Sequence, residues 1–472
     1  MIRDFKPPRK RLKIYASDPA GSSRQKYQKK LNHKTKNKRQ TRFLISGTIF
    51  LLLLTASICG LVAGVGTSPE SKQELFAKEP APGVNQPAAQ EFELLTKTEI
   101  RSVFGHQPIP IPTRNRFTLI HNGQTYTVHT SIDMELQNFI STKLDRRTSQ
   151  RIGIVVIEPS TGRILAMSGH DKSRSLKNPC IDSRFPAASI FKIITAAAAI
   201  EKYGFKPSTT FTYSGGKHTL YRSQLKEQKN RYTRRISFRD SFAQSVNPVF
   251  GKLGVHFLDI SDLEKYARLF GFNQEIPFDY SLTPSAFVLT EDPYGRAEIA
   301  SGFNRKTTLS PLHGALIASA ICNRGSIVEP SLIDEIADDK GNVLYQRENV
   351  KMGQAVSPET ARVIAQLMEA TIRSGTSRKA FRGYLRDKTL SNLVIGGKTG
   401  SISNDSNEVK YDWFVGFAGR KNLARTIAIS ILVAHDGYIG KKASSYARMT
   451  ITTYFKNSVE KGLAHTEDRR PS

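Results

Sequence analysis

Pro186-Ala-Ala-Ser189-Ile-Phe-Lys192-Ile-Ile-Thr-Ala-Ala-Ala-Ala-Ile200 is the stretch on which the reading of this 472-residue chain turns. It is apolar nearly all round, which predicts a helix buried at the centre of a domain. Ser189 and Lys192 break that pattern at its start. They are three residues apart, so a helix places them on one face and in contact. An ammonium group in apolar surroundings loses its proton more readily. A lysine of lowered pKa beside a hydroxyl is a general base within reach of a nucleophile, and the N–H groups at a helix N-terminus can stabilise an oxyanion.

Ser-x-x-Lys by itself is a weak pattern. It begins five times here, at Ser23, Ser189, Ser214, Ser223 and Ser458. Only the one at Ser189 opens an apolar helix. Two further triplets occur once each. Ser245-Val246-Asn247 falls between two apolar helical segments, and Lys398-Thr399-Gly400 ends the strand candidate beginning Leu393-Val394-Ile395-Gly396-Gly397. Gly397-Lys398-Thr399 is not a phosphate loop, because that loop needs glycine at position 392, where Asn392 stands, and a helix after it.

Working outward, Ile152–Ile157 and Arg163–Met167 are short apolar strands joined by the turn sequence Pro159-Ser160-Thr161-Gly162. Leu393–Gly400, Trp413–Ala418 and Arg425–Val433 are three more, with short polar connections that suit antiparallel neighbours. Between the two groups the periodicity predicts helices over Ile190–Tyr203, Phe238–Leu253, Asp262–Phe270, Pro311–Cys322 and Pro358–Arg373, with a last one over Lys441–Phe455. The fold class is therefore α+β. It comprises a five-stranded antiparallel sheet with helices on both faces, plus a helical subdomain. Ile132–Arg146 has helical spacing, and Asn122-Gly123 marks a hairpin between Phe117–Ile120 and Tyr126–Val128. His313, in an apolar helical stretch, reads as a packed residue.

The net charge of +29 is unevenly spread. Residues 1–42 hold 15 Lys/Arg against two Asp, and the 24 residues Phe43–Gly66 carry no charge. A helix of that length is about 36 Å long, enough for a bilayer core of about 30 Å. Positive charge stays on the cytoplasmic side, so the reading is an uncleaved anchor with its N-terminus inside and the rest of the chain outside the cytoplasmic membrane. The tail then interacts with anionic lipid rather than with nucleic acid. The expected organisation is a basic tail over 1–42, a transmembrane signal anchor over 43–66, a stalk and small pedestal over 67–127, a catalytic domain over 128–460 and a polar tail over 461–472. Residues 214–235 are strongly basic and read as a solvated loop. Cys180 and Cys322 lie where a disulfide is chemically feasible, and two unpaired cysteines fit equally well. No Cys/His cluster has metal spacing, so no metal and no cofactor is expected.

Ser-x-x-Lys, Ser-x-Asn and Lys-Thr-Gly in that order resemble the penicillin-binding proteins and serine β-lactamases. The resemblance covers about residues 128–456. Ile154–Met167 looks like the family's first hairpin, Thr130–Asp133 like its domain entry, and Ser374-Gly-Thr376 and Tyr411–Gly419 like the segments flanking its Lys-Thr-Gly strand. It implies that Ser189 attacks the penultimate D-Ala carbonyl of a peptidoglycan stem peptide, with Lys192 taking the hydroxyl proton. It implies that Ser245 relays a proton to the leaving amine with Lys398 nearby, and that Asn247 binds the substrate backbone and steadies Lys192. Lys398, Thr399 and Ser401 would bind the terminal carboxylate beside Gly400, and the N–H groups of Ser189 and Ser401 would form the oxyanion hole. β-Lactam antibiotics would acylate Ser189. Ala187-Ala188 stand where Pro-Gly is usual, and Ser401 stands where threonine is commoner. The pattern is most similar to the class B transpeptidases, although the pedestal is short for that class and leaves no room for a glycosyltransferase domain. A D,D-carboxypeptidase or class D-like β-lactamase is the enzymatic alternative. A penicillin sensor or division-complex scaffold is the non-catalytic one. Implied partners are stem peptides, β-lactams, the membrane and proteins of cell-wall synthesis or division complexes.

Overall fold

The computed structural model describes residues 95–467 apart from 105–111, 174–177, 228 and 421–424. The basic tail, Phe43–Gly66 and residues 67–94 lie outside the described residues. Among the described residues no helix is long and apolar enough to cross a membrane.

The expected five-stranded sheet is present. Its strands are β1 (Ser149–Ile157), β2 (Ile164–Asp171), β3 (Leu393–Ser403), β4 (Val409–Arg420) and β5 (Thr426–Asp436). They lie side by side in the order β3-β4-β5-β1-β2, and every neighbouring pair is antiparallel. The central strands read as continuous apolar runs because both faces of the sheet are covered. On one face Ile152, Ile154, Ile429, Ile431 and Phe414 pack with Tyr446, Ala447, Ile451 and Phe455 of the C-terminal helix. On the other, Val155, Val415, Phe417 and Leu432 join the larger core that holds the central helices. Burying both faces removes the polar alternation that a half-exposed strand would show.

The helices used below are α1 (Lys192–Tyr203), α2 (Asn247–Lys252), α3 (Pro311–Cys322), α4 (Pro358–Arg373) and α5 (Ala443–Glu467). The starts of α3 and α4 follow from local chemistry. Ser310 and Ser357 cap them by accepting from the N–H groups of His313 and Thr360, and a proline occupies the first helical position of each. His313 is a packed residue, as read. Its Nε2 lies 2.7 Å from the Phe270 carbonyl oxygen, and its ring lies against Phe272. Cys180 and Cys322 are both free thiols.

Two expectations are corrected. The predicted helix over Phe238–Leu253 is broken into Phe238–Ala243, α2 and a π-turn over Leu253–Phe257. Pro248 is the cause within the sequence. It has no N–H to donate to the Gln244 carbonyl, so an unbroken helix would leave that carbonyl unpaired. Ser245 turns through the left-handed region, with φ 55°. The predicted helix over Ile190–Tyr203 begins earlier and differently, with a 3₁₀ turn over Ala188–Phe191 that runs into α1.

The hairpin across Asn122-Gly123 forms, with positive φ at both residues. Its strands, Arg116–His121 and Gln124–Thr130, complete a four-stranded sheet with Ile333–Ala337 and Val343–Gln346. Residues read as part of a pedestal thus share a sheet with chain more than 200 residues later. Behind this sheet Asp279 is fully buried and accepts from Ser331 Oγ and from the Leu332 and Ile333 N–H groups.

Candidate active site

Ser189 is held by what precedes it. The Pro186 carbonyl accepts from Trp413 Nε1 on β4 at 2.9 Å, and the Ala187 N–H donates to the Thr307 carbonyl at 2.9 Å. Ala188 then adopts φ 49°, in the left-handed region. A residue with a Cβ is strained there by about 1–2 kcal/mol, and the glycine usual at this position in the resembling family would not be. Gly302, on the far side of the turn, makes the fit feasible. A Cβ on it would lie 2.0 Å from the Ala188 carbonyl oxygen.

The 3₁₀ turn brings Ser189 and Lys192 together more directly than an α-helix would, because side chains three apart eclipse in it. Lys192 Nζ lies 2.9 Å from Ser189 Oγ and 2.7 Å from Asn247 Oδ1, and it also donates to the Ser301 carbonyl. The lysine is completely buried. Burial holds its pKa well below an ordinary lysine, and the positive charge of Lys398 adds to the effect.

Ser245 and Asn247 arrive from the broken helix. The left-handed turn at Ser245 sends its hydroxyl to Lys398 Nζ, 3.0 Å away. Asn247 at the start of α2 points the other way. Its Oδ1 faces Lys192, its Nδ2 donates to the His218 carbonyl at 3.0 Å, and its N–H donates to the Lys217 carbonyl at 2.7 Å. The basic segment 214–235 is thus not solely a solvated loop, since its start backs the Ser-x-Asn turn. Lys398, on β3, is fully buried as well, and burial pulls its pKa down to about 7. The rings of Phe250 and Phe242 lie beneath Lys192 and Lys398 respectively.

Thr399 Oγ1 lies 2.5 Å from Thr376 Oγ1, which brings the Ser374-Gly-Thr376 segment onto the β3 strand. Gly375 allows it: a Cβ there would lie 2.3 Å from the Ala243 carbonyl. Thr399, Gly400 and Ser401 line a cleft of about 670 Å³ together with Ser189, Ser245 and Asn247. Every sequence-predicted site residue is therefore brought to one place, Lys192 and Lys398 forming its buried floor. Sequence reasoning missed His218, Ser301 and Gly302. Two of these act through main-chain carbonyls, which leave no side-chain signature.

A donor chain runs Lys192 to Ser189 and a second runs Lys398 to Ser245. Among the described residues no group of three or more His, Cys, Asp or Glu is placed to hold a metal ion. A serine hydroxyl beside a buried amine of lowered pKa is the kind of arrangement that can support nucleophilic acyl transfer.

Residues 152–452 match the family model described as the penicillin binding protein transpeptidase domain. Stage V sporulation protein D of Bacillus subtilis is 25% identical over 309 residues, which cover 61% of this chain and 46% of that protein. Peptidoglycan D,D-transpeptidase PbpA of Mycolicibacterium smegmatis is 24% identical over 61% of this chain and 62% of its own. The chain therefore spans about half to three-fifths of the length of these curated relatives. The ceftriaxone acyl-enzyme structure of penicillin-binding protein A from Mycobacterium tuberculosis superposes with a TM-score of 0.56 at 21% identity, over 70% of this chain and 79% of that one. At that identity the likeness speaks for the fold.

Proposed function

The chain belongs to the penicillin-binding protein transpeptidase family, and from that premise we propose that it is a peptidoglycan D,D-transpeptidase working through an acyl-enzyme on Ser189. The observation that carries the reading is the buried contact of Lys192 with both Ser189 and Asn247, set beside the second buried contact of Lys398 with Ser245. A neutral Lys192 amine takes the Ser189 proton as Oγ attacks the penultimate D-Ala carbonyl. The oxyanion is held by the Ser189 and Ser401 N–H groups, each such donor being worth about 2.7–4 kcal/mol. Ser245, drawing on Lys398, hands a proton to the leaving amine, and the terminal D-Ala departs. Thr399 and Ser401 hold its carboxylate. An acceptor amine then attacks the ester, its proton passes through Ser245 to Lys398, Lys192 returns its proton to the departing Ser189 oxygen, and Ser189 is regenerated as the cross-link forms. β-Lactams enter by the same first step and stop at the acyl-enzyme, the species named for the neighbour from Mycobacterium tuberculosis.

Placement in the cell follows from the N-terminal sequence. Phe43–Gly66 anchors the chain in the cytoplasmic membrane, 1–42 stays inside, 67–127 leads outward, 128–460 carries the chemistry in the extracytoplasmic space, and 461–472 is a polar tail. Stem peptides are the substrate, and proteins of a wall-synthesis complex are the partners.

Fluorescent penicillin labels the full-length protein, and Ser189→Ala abolishes the label. Equal labelling of the two removes Ser189 as nucleophile. The fate of a labelled stem peptide with and without an amine acceptor separates transfer from hydrolysis.

A further inference from the structure

The chemistry above uses only the first few residues of the basic segment 214–235. Thr210–Tyr213 and Arg234–Ser237 pair antiparallel, with Tyr213 opposite Arg234, so residues 214–233 close on themselves as one surface loop. Loops of that length are characteristically either functional or without fixed structure. This one is packed. Gln224 Nε2 donates to the Ser214 carbonyl at 2.8 Å, and the Tyr294 hydroxyl donates to the Leu220 carbonyl at 2.7 Å. Lys252, buried at the end of α2, forms a 2.9 Å ion pair with Glu227 and donates to the Thr212 carbonyl. Asn247, at the other end of α2, donates to the Lys217 and His218 carbonyls. The loop is therefore held at both ends of the helix that carries a site residue.

What this frame presents is positive charge. Residues 214–235 hold seven Lys/Arg and one carboxylate, Glu227, which Lys252 already engages. Arg222, Lys226, Lys229, Arg231, Arg234 and Arg235 are exposed, and among the described residues none of them is paired with a carboxylate. Like charges held close together repel, and an anionic partner relieves the repulsion. Guanidinium groups match carboxylates in a planar fork. Tyr221 and Tyr232 stand between these cations, 61% and 60% exposed, and among the described residues of the loop no leucine, isoleucine or phenylalanine is exposed. A surface that inserts into a bilayer would carry such apolar groups. Tyrosine rings among arginines suit a hydrated polymer that bears carboxylates. The loop also begins at the cleft. His218 lines it, and Arg222 lies four residues on, within about 14 Å even if the chain were fully extended. One long ligand therefore reaches both the cleft and the cations, which a membrane does not.

We propose that this loop is a second binding surface, outside the cleft, for the substrate in its polymeric form: an un-cross-linked glycan strand whose successive stem peptides carry free carboxylates. One stem occupies the cleft while carboxylates of neighbouring stems meet the loop. The inference rests on the transpeptidase reading. It adds that linked stems are held better than a lone one, because the second contact is made within one complex.

Full-length Ser189→Ala protein in neutral-lipid nanodiscs, which binds without turnover, is titrated with glycan strands bearing D-Ala-D-Ala stems and with the monomeric stem peptide. Per stem, strands bind about tenfold more tightly than the monomer. In Arg222→Gln/Arg231→Gln/Arg234→Gln/Arg235→Gln the advantage falls to about twofold or less, while monomer binding and, with Ser189 restored, the rate of penicillin labelling stay as in the parent. Lys379→Gln/Arg382→Gln/Arg386→Gln/Lys388→Gln removes equal charge from exposed residues elsewhere and keeps the advantage. Strands whose internal carboxylates are carboxamides, with the terminal one retained, lose it. A second measurement needs no variant: strands slow hydrogen exchange in residues 214–235, and replacing neutral by anionic lipid does not. An advantage that survives the loop substitutions, falls equally in the control variant or persists with carboxamide strands overturns the inference. Slowed exchange from anionic lipid alone assigns the loop to the membrane and overturns it too. If penicillin fails to label Ser189 but the loop-dependent advantage holds, the transpeptidase reading falls and the surface stands.

Discussion

Asn247→Asp is the most informative single change in the cleft. It is nearly isosteric, and it places a carboxylate where Asn247 Oδ1 now lies 2.7 Å from Lys192 Nζ. Burial and the charge of Lys398 at present hold the Lys192 pKa low. An opposite charge at this range favours the protonated amine, typically by about 1–3 pH units. The base must be neutral to take the Ser189 proton, so the acid limb of the acylation profile moves up by that amount. Below the limb, acylation falls by about tenfold per unit of displacement, hence by about 10- to 1,000-fold. On the alkaline plateau most of the rate returns. The residual loss reflects the Asn247 Nδ2 bond to the His218 carbonyl, which an aspartate cannot make and which leaves two oxygens facing each other. Asn247→Leu is the control. It removes the contact without adding charge, so the limb does not rise. The assay is the second-order rate of fluorescent-penicillin acylation from about pH 5 to about pH 10. A uniform loss across the range with an unmoved midpoint would refute the reasoning, because the titrating base would then not be the amine beside Asn247. In the variant the amine and the introduced carboxylate titrate as a unit, so the midpoint is a property of the pair.

Two further changes follow from the same geometry. Ala188→Gly relieves a left-handed alanine at φ 49° at the cost of a freer unfolded chain, so it stabilises the fold by about 0.5–1 kcal/mol, read as a higher midpoint in denaturant; a lower midpoint would mean the backbone is not strained there. Lys398 titrates at about 7 in the fold against 10.5 for an ordinary lysine. Between those values the unfolded chain binds a proton that the folded chain does not, so stability rises with pH through that window. Lys398→Met flattens the rise in Tm between neutral and alkaline pH, leaving the part due to Lys192, and an unchanged slope would show that the amine is not desolvated.

Much of the fold and the site is legible in the residues, and each instance has a physical cause. The strands β1 and β5 are long apolar runs because helices cover both faces of the sheet. The helices α3 and α4 announce themselves through a serine cap followed by proline. Ser189 is separable from the four other Ser-x-x-Lys serines because only one Ser-x-x-Lys opens an apolar helix and only one of each partner triplet exists. The break at Ser245 is not legible in the same way. Local sequence there is apolar and helical on both sides, and the signal is one proline three residues on. What sustains the break is tertiary: the Thr376 N–H donates to the Ala243 carbonyl at 3.0 Å, and the Asn247 N–H to the Lys217 carbonyl. His218 and Ser301 are invisible for a related cause, since the carbonyls they contribute could belong to any residue.

The break is also what the proposed chemistry needs. An unbroken helix would put Ser245 and Asn247 two residues apart, roughly 200° around the axis, on opposite sides. The left-handed turn instead sends Ser245 to Lys398 and Asn247 to Lys192, so that one triplet serves both amines. Those amines are each buried, and their hydrogen bonds go to hydroxyl, amide and main-chain oxygens rather than to a carboxylate. A carboxylate beside Lys192 would raise its pKa and spoil the base. Burial lowers it, and a second buried lysine lowers it further. In the proposed mechanism two lysines in one apolar cleft therefore do together what neither would do alone: the charge of Lys398, where it is retained to meet an incoming carboxylate, adds to burial in keeping Lys192 neutral for the Ser189 proton.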